Sequence, residues 1–168
     1  MEYEVMKEKH LPQLAEMYVE AFNAPPWNDE WTLDSAYERL LQMMKCEGFY
    51  GLVAIDNNHS ICGMIMGNHE IYFTGIHFHI KEFCVRTKLR RAGIGSALLK
   101  EFENHLAQKG IESIYLFTSK TDETEAYYQK KDYNSNQGMV MMGKKLLHSH
   151  GNKTQVYMMI YIKGVSDK

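Results

Sequence analysis

The stretch from Phe83 to Phe102, FCVRTKLRRAGIGSALLKEF, constrains this chain more than any other. An apolar strand end passes through a basic turn bearing Gly93 and Gly95, and an amphipathic helix begins at once with Ala97, Leu98, Leu99 and Phe102 at helical spacing. Backbone N–H groups at such a helix start have no intrahelical partner, and the helix dipole adds partial positive charge there. An anion is well placed on it, and glycine lets a ligand's oxygens approach backbone with no Cβ in the way. Arg90 and Arg91 stand just before the glycines.

The rest of the composition says whose anion this is not. A net charge of −2 and a pI near 6.4 argue against nucleic acid as the main partner, since neutralising phosphates needs clustered basic surface. The basic turn is therefore a local device. With 168 residues the simplest organisation is one domain, 1–168, large enough to bury a sizeable core. Cys46, Cys62 and Cys84 are odd in number and widely spaced, which fits a reduced cytoplasmic protein better than a disulfide framework. The opening residues MEYEVMKEKH carry charge and no apolar core, so no signal peptide is expected, and no apolar run reaches membrane-spanning length. His77-Phe78-His79 and His148-Ser149-His150 lack a third ligand at a recognisable spacing, so no metal site is expected.

Along the chain, Glu2 to Lys7 reads as a first strand, and Leu11, Leu14, Ala15, Tyr18 and Phe22 recur at helical spacing. Pro25-Pro26 ends that helix, and Thr32 is placed to cap a second one carrying Ala36, Leu40, Leu41 and Met44. Tyr50 to Ile55 and Ser60 to Asn68 read as a hairpin across Asp56-Asn57-Asn58-His59. A longer strand, Ile76 to Val85, leads into the glycine turn and its helix. Ile111 to Thr118 is a strand and Glu123 to Lys131 a short helix; two further strands are expected near Gly138 to Leu146 and Val156 to Lys163. The order β-α-α-β-β-β-α-β-α-β-β implies an α/β chain with a mixed sheet and helices on its faces.

This order, with Arg90-x-x-Gly93-x-Gly95 straight after a strand, resembles the GNAT superfamily of acetyl-CoA-dependent N-acetyltransferases. A second block, Ala126-Tyr127-Tyr128-Gln129-Lys130-Lys131-Asp132-Tyr133, is similar to the family's tyrosine, three-residue, glycine-phenylalanine segment, although Asp132 stands where glycine is usual and Tyr133 where phenylalanine is. The resemblance implies a central, mostly antiparallel sheet of about seven strands flanked by about four helices. A dinucleotide fingerprint would need a third glycine, and a P-loop would need Gly-Lys-Ser/Thr; neither is present.

The resemblance also implies roles. The backbone from Arg91 through Ala92, Gly93, Ile94 and Gly95 to Ser96 would bind the coenzyme pyrophosphate, with Arg90 and Arg91 supplying charge. Phe83, Cys84 and Val85 would run beside the pantetheine arm, and Thr121 falls near a position where many members carry a coenzyme-contacting asparagine. Transfer would be direct, in a ternary complex, so Cys84 is expected to be a buried structural residue. Tyr128 aligns with the tyrosine that serves as general acid to the departing thiolate, with simple packing as the alternative. Glu82 is the candidate base: alternation puts Phe78, Ile80, Glu82 and Cys84 on one face, where a carboxylate is costly unless paired or used. A salt-bridged or exposed Glu82 is the alternative, since a bulge would change the facing. Trp27, Asn28, Asp29, Glu30 and Trp31 would line the acceptor pocket, aromatic walls and carboxylates suiting a cationic amine; equally, the tryptophans could staple the loop to the core.

The expected activity is therefore acetyl transfer from acetyl-CoA to a primary amine of a small molecule, polyamine- or aminoglycoside-like, in the cytoplasm, with no nucleic-acid or membrane partner. A protein N-terminus or lysine is the alternative acceptor, and a non-catalytic acyl-CoA sensor is the alternative class. The resemblance also allows a homodimer.

Overall fold

A computed structural model describes residues 1–25, 27–120 and 123–144, which fall into two compact units, Met1–Leu116 and Phe117–Lys168. In the first, a short strand, β1 (Glu2–Val5), is followed by helices α1 (Leu11–Phe22) and α2 (Leu33–Met44). Pro12 sits in the first turn of α1, where its missing N–H would have had no partner. Thr32 caps α2 as its position implies: its hydroxyl accepts from the Ser35 N–H at 3.1 Å, and the Ser35 hydroxyl accepts from the Thr32 N–H at 3.0 Å. Serine thus does the work of the usual glutamate in a capping box. The apolar stripe Leu11, Leu14, Ala15, Tyr18, Phe22 is buried, as are Ala36, Leu40 and Met43 of α2.

Strands β2 (Phe49–Ile55), β3 (Ile61–Tyr72) and β4 (Gly75–Val85) come next, then α3 (Ile94–Gln108) and β5 (Ser113–Leu116). They form one sheet in the order β1-β2-β3-β4-β5, antiparallel except for the β4–β5 pair, which is parallel across α3. The β2–β3 turn forms as expected, the Asp56 carboxylate accepting from the N–H groups of Asn58 and Ser60 at 2.8 and 2.9 Å. Every residue of β3 from Ile61 to Asn68 is buried, which requires cover on both faces of the sheet.

Opposite β3, β4 carries a bulge. Met66 pairs with Glu82 but Gly67 pairs with Ile80, leaving Lys81 as the extra residue. A Cβ on Gly67 would lie 1.8 Å from the His79 carbonyl oxygen, so only glycine admits this approach. The bulge corrects the expectation that Phe78, Ile80, Glu82 and Cys84 share a face. Phe78 packs edge-on against Phe102 of α3, with ring centroids 5.3 Å apart, whereas Glu82 meets Arg39 of α2 and lies on the other side of the sheet. One inserted residue inverts the phase of everything after it.

The second unit contains α4 (Glu123–Gln129). Residues 138–144 form no strand among the described residues, contrary to expectation: Met139, Val140 and Met142 have strand-like composition but stand exposed. The strand expected at Val156 to Lys163 lies outside the described residues, as does Thr121. Five strands are thus found among the described residues, fewer than expected. No helix among them is long and apolar enough to cross a membrane.

Candidate active site

Glu82 is 4% exposed, at the centre of a buried polar network that the bulge creates. Arg39 donates to one carboxylate oxygen twice, through Nε at 3.0 Å and Nη2 at 2.5 Å, and the same Nε donates to the Tyr18 hydroxyl at 3.0 Å. Tyr18 hydrogen-bonds the carboxyl in turn. Burial pushes the Glu82 carboxyl above its ordinary 4.5, with Arg39 and Tyr18 pulling against it and Asp29 adding to the rise. Burial likewise works against the Arg39 charge, but Glu82 and Tyr18 outweigh it and hold the guanidinium above its usual value. Tyr18 is pushed far above the ordinary phenol range by burial and then by Glu82, so it remains a hydroxyl.

The loop after α1 closes over this network. Asn23 brackets Trp31, donating to its carbonyl and accepting from its N–H, both at 2.9 Å. The Trp31 ring then stands edge-on to Tyr18 at 5.2 Å, with the Arg39 guanidinium 5.7 Å from its centre, while its indole N–H donates to Asp29 at 3.1 Å. Trp27 packs on Phe22 at 6.1 Å. Trp31 and Asp29 thus lie against the Glu82 network, and the Asn23 and Tyr18 contacts of Trp31 staple the loop to α1. Asn28 takes a left-handed turn conformation with φ 52°, and Glu30 points to solvent.

Further along β4, Cys84 is buried, and burial and then Glu82 push its thiol well above the usual range. A thiolate is disfavoured there, which fits a structural cysteine. The β4–β5 ladder runs from His77 opposite Ser113 to Ile80 opposite Leu116 and stops, while β4 itself continues to Val85. Phe83, Cys84 and Val85 therefore lie where β5 no longer follows. A single 3₁₀ turn, Thr87–Leu89, comes next, tied down by Glu20, which accepts from the Thr87 N–H at 2.8 Å and from Arg86 at 3.1 Å. Arg90 donates to the Ala21 carbonyl at 3.1 Å, so its guanidinium is partly spent on holding the turn against α1.

The chain then enters α3 through two left-handed residues, Arg91 (φ 65°) and Gly93 (φ 80°), with Ala92 between them. Gly93 is the N-cap and supplies no side chain to the first-turn amides, and a Cβ there would meet nothing within 4 Å. No capping side chain occupies the first-turn amides of Ile94, Gly95 and Ser96, which fits an anion.

In the second unit, Tyr128 lies edge-on to Tyr127 and Tyr133 at 5.2 and 5.6 Å. Burial and then Tyr127 push its phenol above the usual 10.0, so it holds its proton. Asp132, at the position where the resemblance expects glycine, has φ 65°. Its N–H bonds the Gln129 carbonyl and that of Tyr133 bonds the Tyr128 carbonyl, both at 3.2 Å, the pattern of a helix ended by a left-handed residue. Aspartate tolerates that conformation better than most side chains, so the departure from glycine leaves the backbone turn in place. Elsewhere His77 stacks on Tyr72 and His79 on Tyr115, both at 13° between planes, which accounts for that histidine pair as packed groups. His148 and His150 lie outside the described residues.

Of the residues around Glu82, the sequence places Tyr18 in the apolar stripe of the first helix, and sequence reasoning does not single out Arg39. The signal for Arg39 was present: it stands three residues after Ala36 and one before Leu40, inside the apolar stripe of α2.

The model of the acetyltransferase (GNAT) family matches this sequence over residues 11–133, most of the chain. The chain belongs to the GNAT acetyltransferase family. Solved GNAT structures share its fold. An aminoglycoside acetyltransferase from an uncultured soil metagenomic sample, in complex with sisomicin, is 20% identical over 88% of this chain and 96% of its own, with a TM-score of 0.65. A "possible acetyltransferase" from Clostridium difficile is 17% identical over 88% and 98%, with a TM-score of 0.75. A transcriptional regulator from Bacillus halodurans is 18% identical over 85% and 99%, with a TM-score of 0.70. At such identities the likeness is one of fold. None of the curated proteins matches this chain.

Proposed function

We propose that this chain transfers the acetyl group of acetyl-CoA directly to a primary amine of a small cationic molecule. The observation that carries the reading is the continuity of β4 beyond the end of β5 into the amide-bearing start of α3. An extended thioester arm needs a strand edge to lie against, and a pyrophosphate needs uncommitted amides one turn further on; the two follow each other here in one run of chain. Phe83, Cys84 and Val85 take the arm, and the backbone from Arg91 to Ser96 takes the pyrophosphate. The coenzyme supplies an acetyl thioester. A backbone N–H at the end of β4 polarises its carbonyl.

The amine arrives protonated and must lose a proton to attack. Glu82 draws it off, directly or through a water, its carboxylate made more basic by burial and kept in place by Arg39 and Tyr18. Trp31 and Asp29 lie against that network and offer a cation an aromatic wall and a carboxylate. The family's aminoglycoside acetyltransferase with sisomicin supports a small-molecule amine as acceptor. Tyr128 is the acid in this reading: it holds its proton at neutral pH and gives it to the departing thiolate.

The test is thiol release from acetyl-CoA across a panel of small amines, peptides with free N-termini and lysine peptides. Turnover with a small amine supports the proposal, and turnover confined to peptides reassigns the acceptor. Coenzyme binding in calorimetry with no acceptor turned over replaces the enzyme by a sensor, and no coenzyme binding overturns both.

A further inference from the structure

Helix α1 ends between the two halves of the site. Its last turn has no basic residue to meet the negative end of the helix dipole, and it carries Glu20, an acid at the unfavourable end. That carboxylate is committed elsewhere. One oxygen accepts from the Thr87 N–H at 2.8 Å and the other from the Arg86 guanidinium at 3.1 Å, so Glu20 grips the 3₁₀ turn that precedes the start of α3. Arg86 also donates to the Ile61 carbonyl at 2.7 Å, which ties the same grip to β3.

The carbonyls at the end of a helix have no partner within it, and here two neighbouring ones are divided between two segments of chain. The Ala21 carbonyl accepts from Arg90 at 3.1 Å, and the Phe22 carbonyl accepts from the Asp29 N–H at 3.0 Å. The first contact holds the run of chain that leads to the backbone from Arg91 to Ser96. The second holds the loop that closes over Glu82. Asn23 continues the pattern, its side chain bracketing the Trp31 carbonyl and N–H at 2.9 Å. Glu20 and Asn23 are separated by about 4.5 Å along a helix axis, so a single turn of backbone holds both the anion-facing turn and the amine-facing loop.

We infer that the last turn of α1 couples the two halves of the site, with Glu20 as the positioning residue on the coenzyme side and Asn23 on the acceptor side. The identity of the two ligands rests on the acetyl-transfer reading; the contacts through α1 do not. Coenzyme settled on the start of α3 holds the 3₁₀ turn, and the turn holds Glu20 and the Ala21 carbonyl. A helix end fixed in this way leaves the acceptor loop less freedom to lose when the amine arrives. Linkage makes the effect mutual, so whatever loosens the loop weakens the coenzyme.

The two tryptophans of the chain, Trp27 and Trp31, both lie in that loop, so acrylamide quenching of tryptophan emission reads the loop alone. In the wild type, saturating coenzyme A should lower the quenching constant. In Glu20→Ala, saturated with coenzyme A as judged by calorimetry, that protection should be lost. The Asn23 side chain bonds Trp31, on the acceptor side, yet Asn23→Ala should weaken coenzyme A binding in calorimetry by about fivefold or more, as coupling between sites requires. Three results overturn the coupling while leaving coenzyme binding in place: no protection in the wild type, protection that survives Glu20→Ala in full, or unchanged coenzyme A binding in Asn23→Ala. If calorimetry finds no coenzyme A binding to the wild type, the acetyl-transfer reading falls and the free chain decides. Quenching greater in Glu20→Ala than in the wild type then retains the junction, and equal quenching overturns it. Should Glu20→Ala fail to fold by circular dichroism, Glu20→Gln takes its place. It keeps an acceptor for the Thr87 N–H and loses the charge opposite Arg86, and quenching identical to the wild type in that variant overturns the coupling.

Discussion

In the proposed reading Glu82 serves structure and chemistry at once. Its carboxyl is buried, which raises its basicity, and it is tied to Arg39, which limits the rise and keeps the charged form affordable in the interior. A base acts as its carboxylate, so kcat/KM should fall as pH drops through the Glu82 pKa. Because that pKa lies above 4.5, the acid limb of the profile should have its midpoint above the usual glutamate value, and Glu82→Gln should remove the limb along with most of the turnover. A limb that persists in the variant assigns the titration to another group. At Tyr128 the expectation is a division between parameters. Tyr128→Phe keeps the ring and deletes the proton, so kcat should fall by roughly 10²-fold while coenzyme affinity measured by calorimetry stays within about twofold. Unchanged kcat would leave the residue a packing role.

Among the elements, the glycine turn and the helix it opens were legible in the sequence because they depend on local chemistry: two glycines, a basic pair and an apolar stripe in fixed order. Thr32 was legible for the same reason. The facing of Glu82 was not, because strand alternation is a local rule and the bulge at Lys81 comes from the pairing of β4 with a glycine in β3, Gly67, distant along the chain. The Arg39–Glu82 pair was hidden likewise, being made between α2 and β4. Residues 138–144 differ in the opposite sense, apolar composition suggesting a strand where the described residues form none. Gly67 is therefore the position at which the element can be tested. Gly67→Ala places a methyl group against the His79 carbonyl, and the strand pair must shift or open. A loss of about 3 kcal/mol or more in urea denaturation is expected. A near-neutral effect would mean that β3 and β4 can pair without the bulge.

For the whole molecule, a chain of net charge −2 must attract a polyanionic coenzyme by local geometry, since the global field does not help. In the proposed reading the start of α3 and the basic residues before it supply that geometry, and coenzyme that binds only the folded state stabilises it. With coenzyme A at about 100 times its Kd, the gain should be about 2.7 kcal/mol, visible as a rise of several degrees in the melting temperature. An unchanged melting curve at that concentration would contradict coenzyme binding.

The extra residue in β4 has a consequence of another kind. At Lys81 the strand changes which layer of the molecule it addresses: before it, Phe78 belongs to α3, and after it, Glu82 belongs to α1 and α2. Deleting Lys81 would shift the reading frame of the fold. Every side chain from Glu82 to Val85 would trade sides, the carboxylate would be delivered to the apolar layer beside Phe102, and Phe83 would be turned toward Arg39. A chain shortened there by one residue should lose the Arg39 pairing and all turnover, which makes the identity of Lys81 less important than the fact that a residue is there.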